Sequence, residues 1–158
     1  MNYTAIMYAQ EIFHSDLLAG IGFGLCFGPP IILGWIAGVY SDRIAPSHIV
    51  IVSQLVFVVA GGVFVALHSV EHDKFLQITL YLSATFLVGV GWSFLAPSRL
   101  AALAQIVPAH SLHQASVIFN LLIMIGFGIA PILLAICKTN YGWNGVFVAI
   151  SSLFLVAT

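Results

Sequence analysis

An acid and a base that stand side by side, beyond a long uncharged stretch, are the residues best placed to do chemistry. Asp42 and Arg43 follow the charge-free segment 17–40, and Arg99 comes shortly after a second one, 75–97. A loop carboxylate of this kind can accept hydrogen bonds from the N-terminal amides of a neighbouring helix. Such a contact could hold two helical bundles in one conformation and release them in another. The alternative is a solvated pair worth under about 1 kcal/mol.

Polar residues inside the uncharged stretches are the next candidates. Hydroxyl groups can bond to the backbone of their own helix, and we expect this of Ser83, Thr85 and Ser93. The amides of Gln54 and Asn120 cannot do so as easily. They are therefore expected either to join helices or to line a cavity.

Two histidine pairs have a spacing that can place both imidazoles on one helical face. His68 and His72 are four residues apart, and His110 and His113 are three apart. Both pairs fall in predicted loops or at helix ends, so we expect solvated histidines and predict no metal site and no cofactor. The sequence also contains no His-Glu-x-x-His motif and no evident Ser/His/Asp arrangement, so no enzymatic activity is predicted.

The composition decides what surrounds these residues. Of 158 residues, 61% are hydrophobic and only 6% are charged, whereas a soluble domain carries about 25% charged residues. The net charge of −1 excludes a nucleic-acid partner held by phosphate neutralisation. The surrounding solvent is therefore predicted to be the lipid bilayer.

The elements that position the candidate residues are predicted to be membrane-spanning helices. A helix crosses about 30 Å of hydrocarbon with roughly 20 residues. Strands of a membrane barrel would alternate apolar and polar residues, which these segments do not. We predict an all-α bundle of about five transmembrane helices, preceded at 1–16 by the stub of a helix and a loop. The predicted spans are 17–41, 47–68, 75–97, 112–137 and a short last one, 143–158.

Prolines and glycines predict how the first span is built and packed. Pro29 and Pro30 interrupt it, but each half is too short to cross alone, so we predict one kinked span. The carbonyl groups that the prolines free, near Leu25, must find partners in a neighbouring helix. Gly34 and Gly38 have the spacing of small residues that lets two helix backbones approach closely.

Several motifs resemble those of one transporter family. Gly38-x-x-x-Asp42-Arg43 resembles the loop signature between the second and third helices of the major facilitator superfamily. The family pattern continues with a glycine and two basic residues, where this chain has Ala45, Pro46 and Ser47. Pro97-x-Arg99-x-Ala101 resembles the end of the family's fourth helix, and Gly126-x-x-x-Ala130-Pro131 resembles its fifth-helix antiporter motif.

This resemblance, closest to the drug and siderophore exporter branch, implies a function. The five spans would be helices 2–6 of an N-terminal six-helix half, in a fragment of a transporter. Gly38, Asp42, Arg43 and Arg99 would form a cytoplasmic conformational latch, and Gly126, Ala130 and Pro131 the helix-5 motif. Counting Lys and Arg gives two on each side, so charge alone does not decide the orientation.

The resemblance also implies partners and a location. The chain would export an unidentified small molecule by alternating access, together with a missing second half or another copy of itself. It would lie in the plasma membrane, which in a bacterium is the inner membrane. The alternative is a truncated membrane protein that does not transport, or a small subunit packed on a partner.

Overall fold

The chain folds into helices joined by short connections. The structure, a computed structural model, describes residues 1–70 and 73–157 and is 93% helical, with no strand in those ranges. Four segments are long and apolar enough to cross a membrane. The predicted all-α membrane bundle is therefore confirmed. The helices are α1 (Asn2–Ile12), α2 (Asp16–Arg43), α3 (Pro46–Ser69), α4 (Lys74–Ile106) and α5 (Leu112–Val156), with a 3-10 turn at Ala109–Ser111.

Helix α2 runs without interruption through its two prolines, as the sequence predicts. Ser15 caps its start, because the Ser15 hydroxyl accepts a hydrogen bond from the Leu18 N–H at 3.3 Å. The carbonyl oxygen of Leu25, one turn before the prolines, lies against Gly89 of α4. A neighbouring helix therefore covers the backbone near the prolines, where lipid could not hydrogen-bond it.

Helix α5 consists of two arms that meet at Gly142. This glycine has φ 65° and ψ −170°, a conformation outside the helical region that strongly favours glycine. At 1.5 Å per residue, a straight helix of 45 residues would measure about 68 Å, more than twice the hydrocarbon thickness. The arms, residues 112–141 and 143–156, are therefore two helices joined without a loop, and the second is shorter than the roughly 20 residues of a full crossing.

Helix α4 packs between α2 and α3, which have little contact with each other. The second arm of α5 covers α3 through aromatic rings. Phe64 stacks on Phe147 with centroids 5.1 Å apart, and Phe57 stacks on Phe154 at 4.7 Å. These rings form the core of the bundle together with Tyr81, which is fully buried.

Close helix contacts occur at Gly22 and Gly89 rather than at Gly34 and Gly38. A Cβ added at Gly22 would overlap the Tyr81 hydroxyl, and one at Gly89 would lie 2.7 Å from Pro29 Cγ. A Cβ added at Gly34 or Gly38 would meet no heavy atom within 4 Å. The predicted close approach at Gly34 and Gly38 is therefore wrong for the described residues. The reason is the rotation of α2 about its axis, which buries other residues of that turn, including Ala37 and Ser41.

Candidate conformational latch

A hydrogen bond between two buried serines joins the end of α2 to α4. The hydroxyl oxygens of Ser41 and Ser98 are 2.9 Å apart, and either can donate. Ser98 is fully buried and Ser41 nearly so. Asp42 and Arg99 are the next residues along each helix, so this bond places the predicted latch residues at the same end of the bundle.

The charged side chains beside these serines are not paired with each other. Asp42 and Arg43 are exposed, and Arg99 is half-buried. Among residues 1–70 and 73–157, neither arginine lies within 4.0 Å of an acid. The structure thus brings the predicted latch residues to one place but leaves the Asp42 carboxylate available to another partner.

The connection between α2, which ends at Arg43, and α3 is only two residues long. The Ile44 N–H closes α2 by donating to the Tyr40 carbonyl at 2.9 Å, and Ala45 precedes the first turn of α3. Pro46 starts α3 at a position where proline suits a helix, because no partner for an N–H is needed there. The places where the family pattern has basic residues are therefore occupied by the start of a helix.

The helix-5 motif lies on an uncovered face of α5. Gly126 and Ala130 are exposed and Pro131 is half-buried. A Cβ added at Gly126 would meet nothing within 4 Å. In the described part of the first arm, only Leu134 is buried. Gly126 therefore packs against none of the described helices, whereas Ala130 borders a cavity that Met1 and Tyr3 also line.

The all-helical membrane fold agrees with a comparison against known families. A family model described as Major Facilitator Superfamily matches residues 1–158. The chain belongs to this superfamily. Searches of curated proteins and of solved structures gave no match. Members of the superfamily are membrane transporters, and the predicted family and multi-pass membrane location are confirmed.

The polar residues within the spans of this facilitator chain behave in two ways. The hydroxyls of Ser83, Thr85 and Ser93 donate to carbonyls of their own helix at 2.7, 3.0 and 2.9 Å, as the sequence predicts. Gln54 is 5% exposed, and its Oε1 has no hydrogen-bond partner among the described residues. Asn120 is exposed on the first arm of α5. A role of either amide in lining a cavity stays a prediction.

Sequence reasoning missed the residue that ties three helices of this facilitator chain together. The Tyr81 hydroxyl of α4 lies 3.3 Å from the Ala5 carbonyl of α1 and 3.4 Å from the Leu18 carbonyl of α2. A buried tyrosine usually finds a partner for its hydroxyl. A tyrosine within an apolar span could therefore have been recognised from the sequence as a residue whose hydroxyl bonds to another helix.

At the opposite end of the bundle from Asp42, one cation contacts two other segments. Lys138 pairs with Glu11 of α1 and lies 5.1 Å from the ring centroid of Trp143. The Trp143 and Tyr8 ring centroids are 5.1 Å apart. His72, one member of a predicted histidine pair, lies outside the described residues, whereas its partner His68 lies in the last turn of α3. Within those residues, no three His, Cys, Asp or Glu side chains are grouped to hold a metal ion.

Proposed function

We propose that this chain is part of a secondary transporter that exports a small molecule across the plasma membrane by alternating access. The Ser41–Ser98 hydrogen bond carries the proposal. It fixes the ends of α2 and α4 together, so that Asp42 and Arg99 move as one unit. A unit of this kind can engage a second bundle in one conformation and leave it in the other.

The position of Asp42 on α2 supports its role as the latch. It lies in the last turn of the helix, where the unpaired carbonyls carry partial negative charge. A carboxylate is disfavoured there unless donors from elsewhere bind it, whereas Arg43 in the same turn is favoured. An exposed Asp42 without an ion pair therefore gains free energy when donors of a second bundle reach it.

The uncovered helix-5 motif supports a second bundle as the partner. Gly126 and Ala130 leave space for another helix to approach closely. We propose that the occupant is a second transporter half or another copy of this chain. The resemblance of this motif to the antiporter motif supports export as the direction.

The test is an accumulation assay in bacterial cells that lack their own broad exporters. Cells expressing the full chain are exposed to a panel of fluorescent lipophilic dyes, and retained dye is measured at matched expression. We expect at least one dye to be retained less than in vector cells. Asp42→Asn should weaken this export about fivefold or more, because the loss of a conformational coupling of about 1 kcal/mol corresponds to a fivefold change.

Asp16→Asn is the matched control, because it makes the same change at the other end of α2. It should leave export unchanged. Normal export by the Asp42→Asn variant would reject the latch. If a stably inserted chain exports none of the dyes, another copy of this chain is rejected as the partner, and a separate second half or a non-transporting membrane subunit is favoured.

A further inference from the structure

A groove on the outside of the bundle follows from the way its helices pack. Because α4 lies between α2 and α3, those two helices leave a valley whose floor is α4. The groove encloses about 310 Å³ near the end of the bundle that carries Asp42. Six of the residues that line it are Tyr40, Ile44, Val52, Val56, Val90 and Phe94.

The inside of the groove suits hydrocarbon. The Ser53 hydroxyl in its wall already donates to the Ile49 carbonyl at 2.7 Å, so it needs no further partner. The wall formed by α3 extends about 12 Å along the helix axis, from His48 to Val56. Between Ile49 and Val56 the lining residues of this wall are apolar apart from Ser53, so the wall suits an acyl chain better than a polar molecule.

The mouth of the groove suits an anion. Arg43 directly precedes Ile44 of the lining, is exposed, and has no acid within 4.0 Å in the described structure. His48 lies in the first turn of α3, whose N-terminal N–H groups receive no side-chain cap. Asp42 is the one acid between positions 40 and 49, and it directly precedes Arg43 near the end of α2.

We propose that this groove holds an anionic glycerophospholipid. One acyl chain lies in the groove, and the phosphate contacts Arg43 and the first turn of α3. Such a lipid requires an apolar groove for its acyl chain and a basic residue at the membrane edge for its phosphate. Arg43 is also one of the predicted latch residues, but the lipid site needs neither a second bundle nor Asp42, so it can be tested whether or not the chain transports.

The test measures which lipids remain on the purified full chain in mild detergent. The chain is incubated with dioleoyl phosphatidylglycerol or dioleoyl phosphatidylcholine, and retained lipid is counted by native mass spectrometry. We expect about fivefold preferential retention of phosphatidylglycerol, because one basic residue near an anionic lipid contributes about 1 kcal/mol. Arg43→Gln should remove this preference and leave the phosphatidylcholine retained unchanged.

Filling the groove tests the acyl-chain part of the site. Val90→Phe should lower the retention of both lipids. The matched control is Leu33→Phe, which places a phenyl ring in a second apolar groove, of about 290 Å³, between α2 and α4. If Val90→Phe disturbs folding, Val52→Phe makes the same test, because Val52 is 59% exposed and tolerates a larger side chain.

Three results would overturn the proposal. The first is equal retention of the two lipids by the unaltered chain. The second is an undiminished preference in Arg43→Gln, which would reject the phosphate contact. The third is a loss of lipid from Leu33→Phe as large as from the variants of the proposed groove, which would show that the lipid is not held there.

Discussion

At the scale of single residues, Tyr81 offers the clearest test of the packing. Tyr81→Phe keeps the ring in place but removes the hydroxyl that contacts the Ala5 and Leu18 carbonyls. Hydrogen bonds between membrane helices contribute about 0.6–2 kcal/mol, so the free energy of unfolding should fall by that amount. Thermal unfolding in detergent measures the change.

Tyr141→Phe is the control for Tyr81→Phe, because Tyr141 is 75% exposed and its hydroxyl can be hydrated. It should unfold at the same temperature as the unaltered chain. Equal thermal stability of Tyr81→Phe and Tyr141→Phe would show that Tyr81 does not tie α1 and α2 to α4.

The sequence predicted which hydroxyls bond within their own helix, but not which face of α2 is buried. Hydroxyl back-bonding is local, so Ser83 and Ser93 could be read without knowing their neighbours. The rotation of α2 depends on α4 instead. Because α2 is apolar on all sides, no stripe in its sequence marks the buried face. For the same reason, the Ser41–Ser98 hydrogen bond could not be predicted from the sequence.

At the scale of helices, the crossing of α2 and α4 depends on Gly89. Gly89→Ala would push a methyl group into the Leu25 carbonyl and the Pro29 ring. Neither is a flexible chain end, so the helices must separate, at a cost of about 1–3 kcal/mol. We expect a lower midpoint of heat-induced aggregation, followed by fluorescence-detected gel filtration.

The matched variant for Gly89→Ala is Gly28→Ala, since a Cβ at Gly28 has open space around it. Its effect should stay within about 1 kcal/mol, the range of the helix propensity difference. If Gly28→Ala is as harmful as Gly89→Ala, close packing at Gly89 is not the cause.

The sequence predicted the all-helical membrane fold better than it could predict where helices end. Charged residues mark the places where a chain leaves hydrocarbon, and a helix can continue beyond that point in water. Thus α4 extends through Arg99 to Ile106. Similarly, the polar run 138–142 stays helical up to the one glycine whose backbone leaves the helical region.

At the scale of the whole molecule, the alternating direction of the helices predicts which ends face the same side. The α2–α3 connection should be cytoplasmic and the start of α4 extracytoplasmic. Single cysteines at Ser47 and Phe75, both exposed, are introduced with Cys26→Ala and Cys137→Ala and treated with an impermeant maleimide. We expect Phe75→Cys to react in intact cells and Ser47→Cys only after permeabilisation.

Two results of the labelling are decisive. Reaction of both cysteines in intact cells would contradict a helix that crosses the membrane between them. Reaction of Ser47→Cys alone would keep the bundle but invert it, and would place Asp42 outside the cell.

The single-residue join at Gly142 has a mechanical consequence. A long flexible loop would let one arm move without the other, but a connection of one glycine is too short to do so. A push on the first arm by an incoming neighbour is therefore transmitted through Trp143 and Phe147 to α3. We therefore expect the two arms of α5 to tilt together.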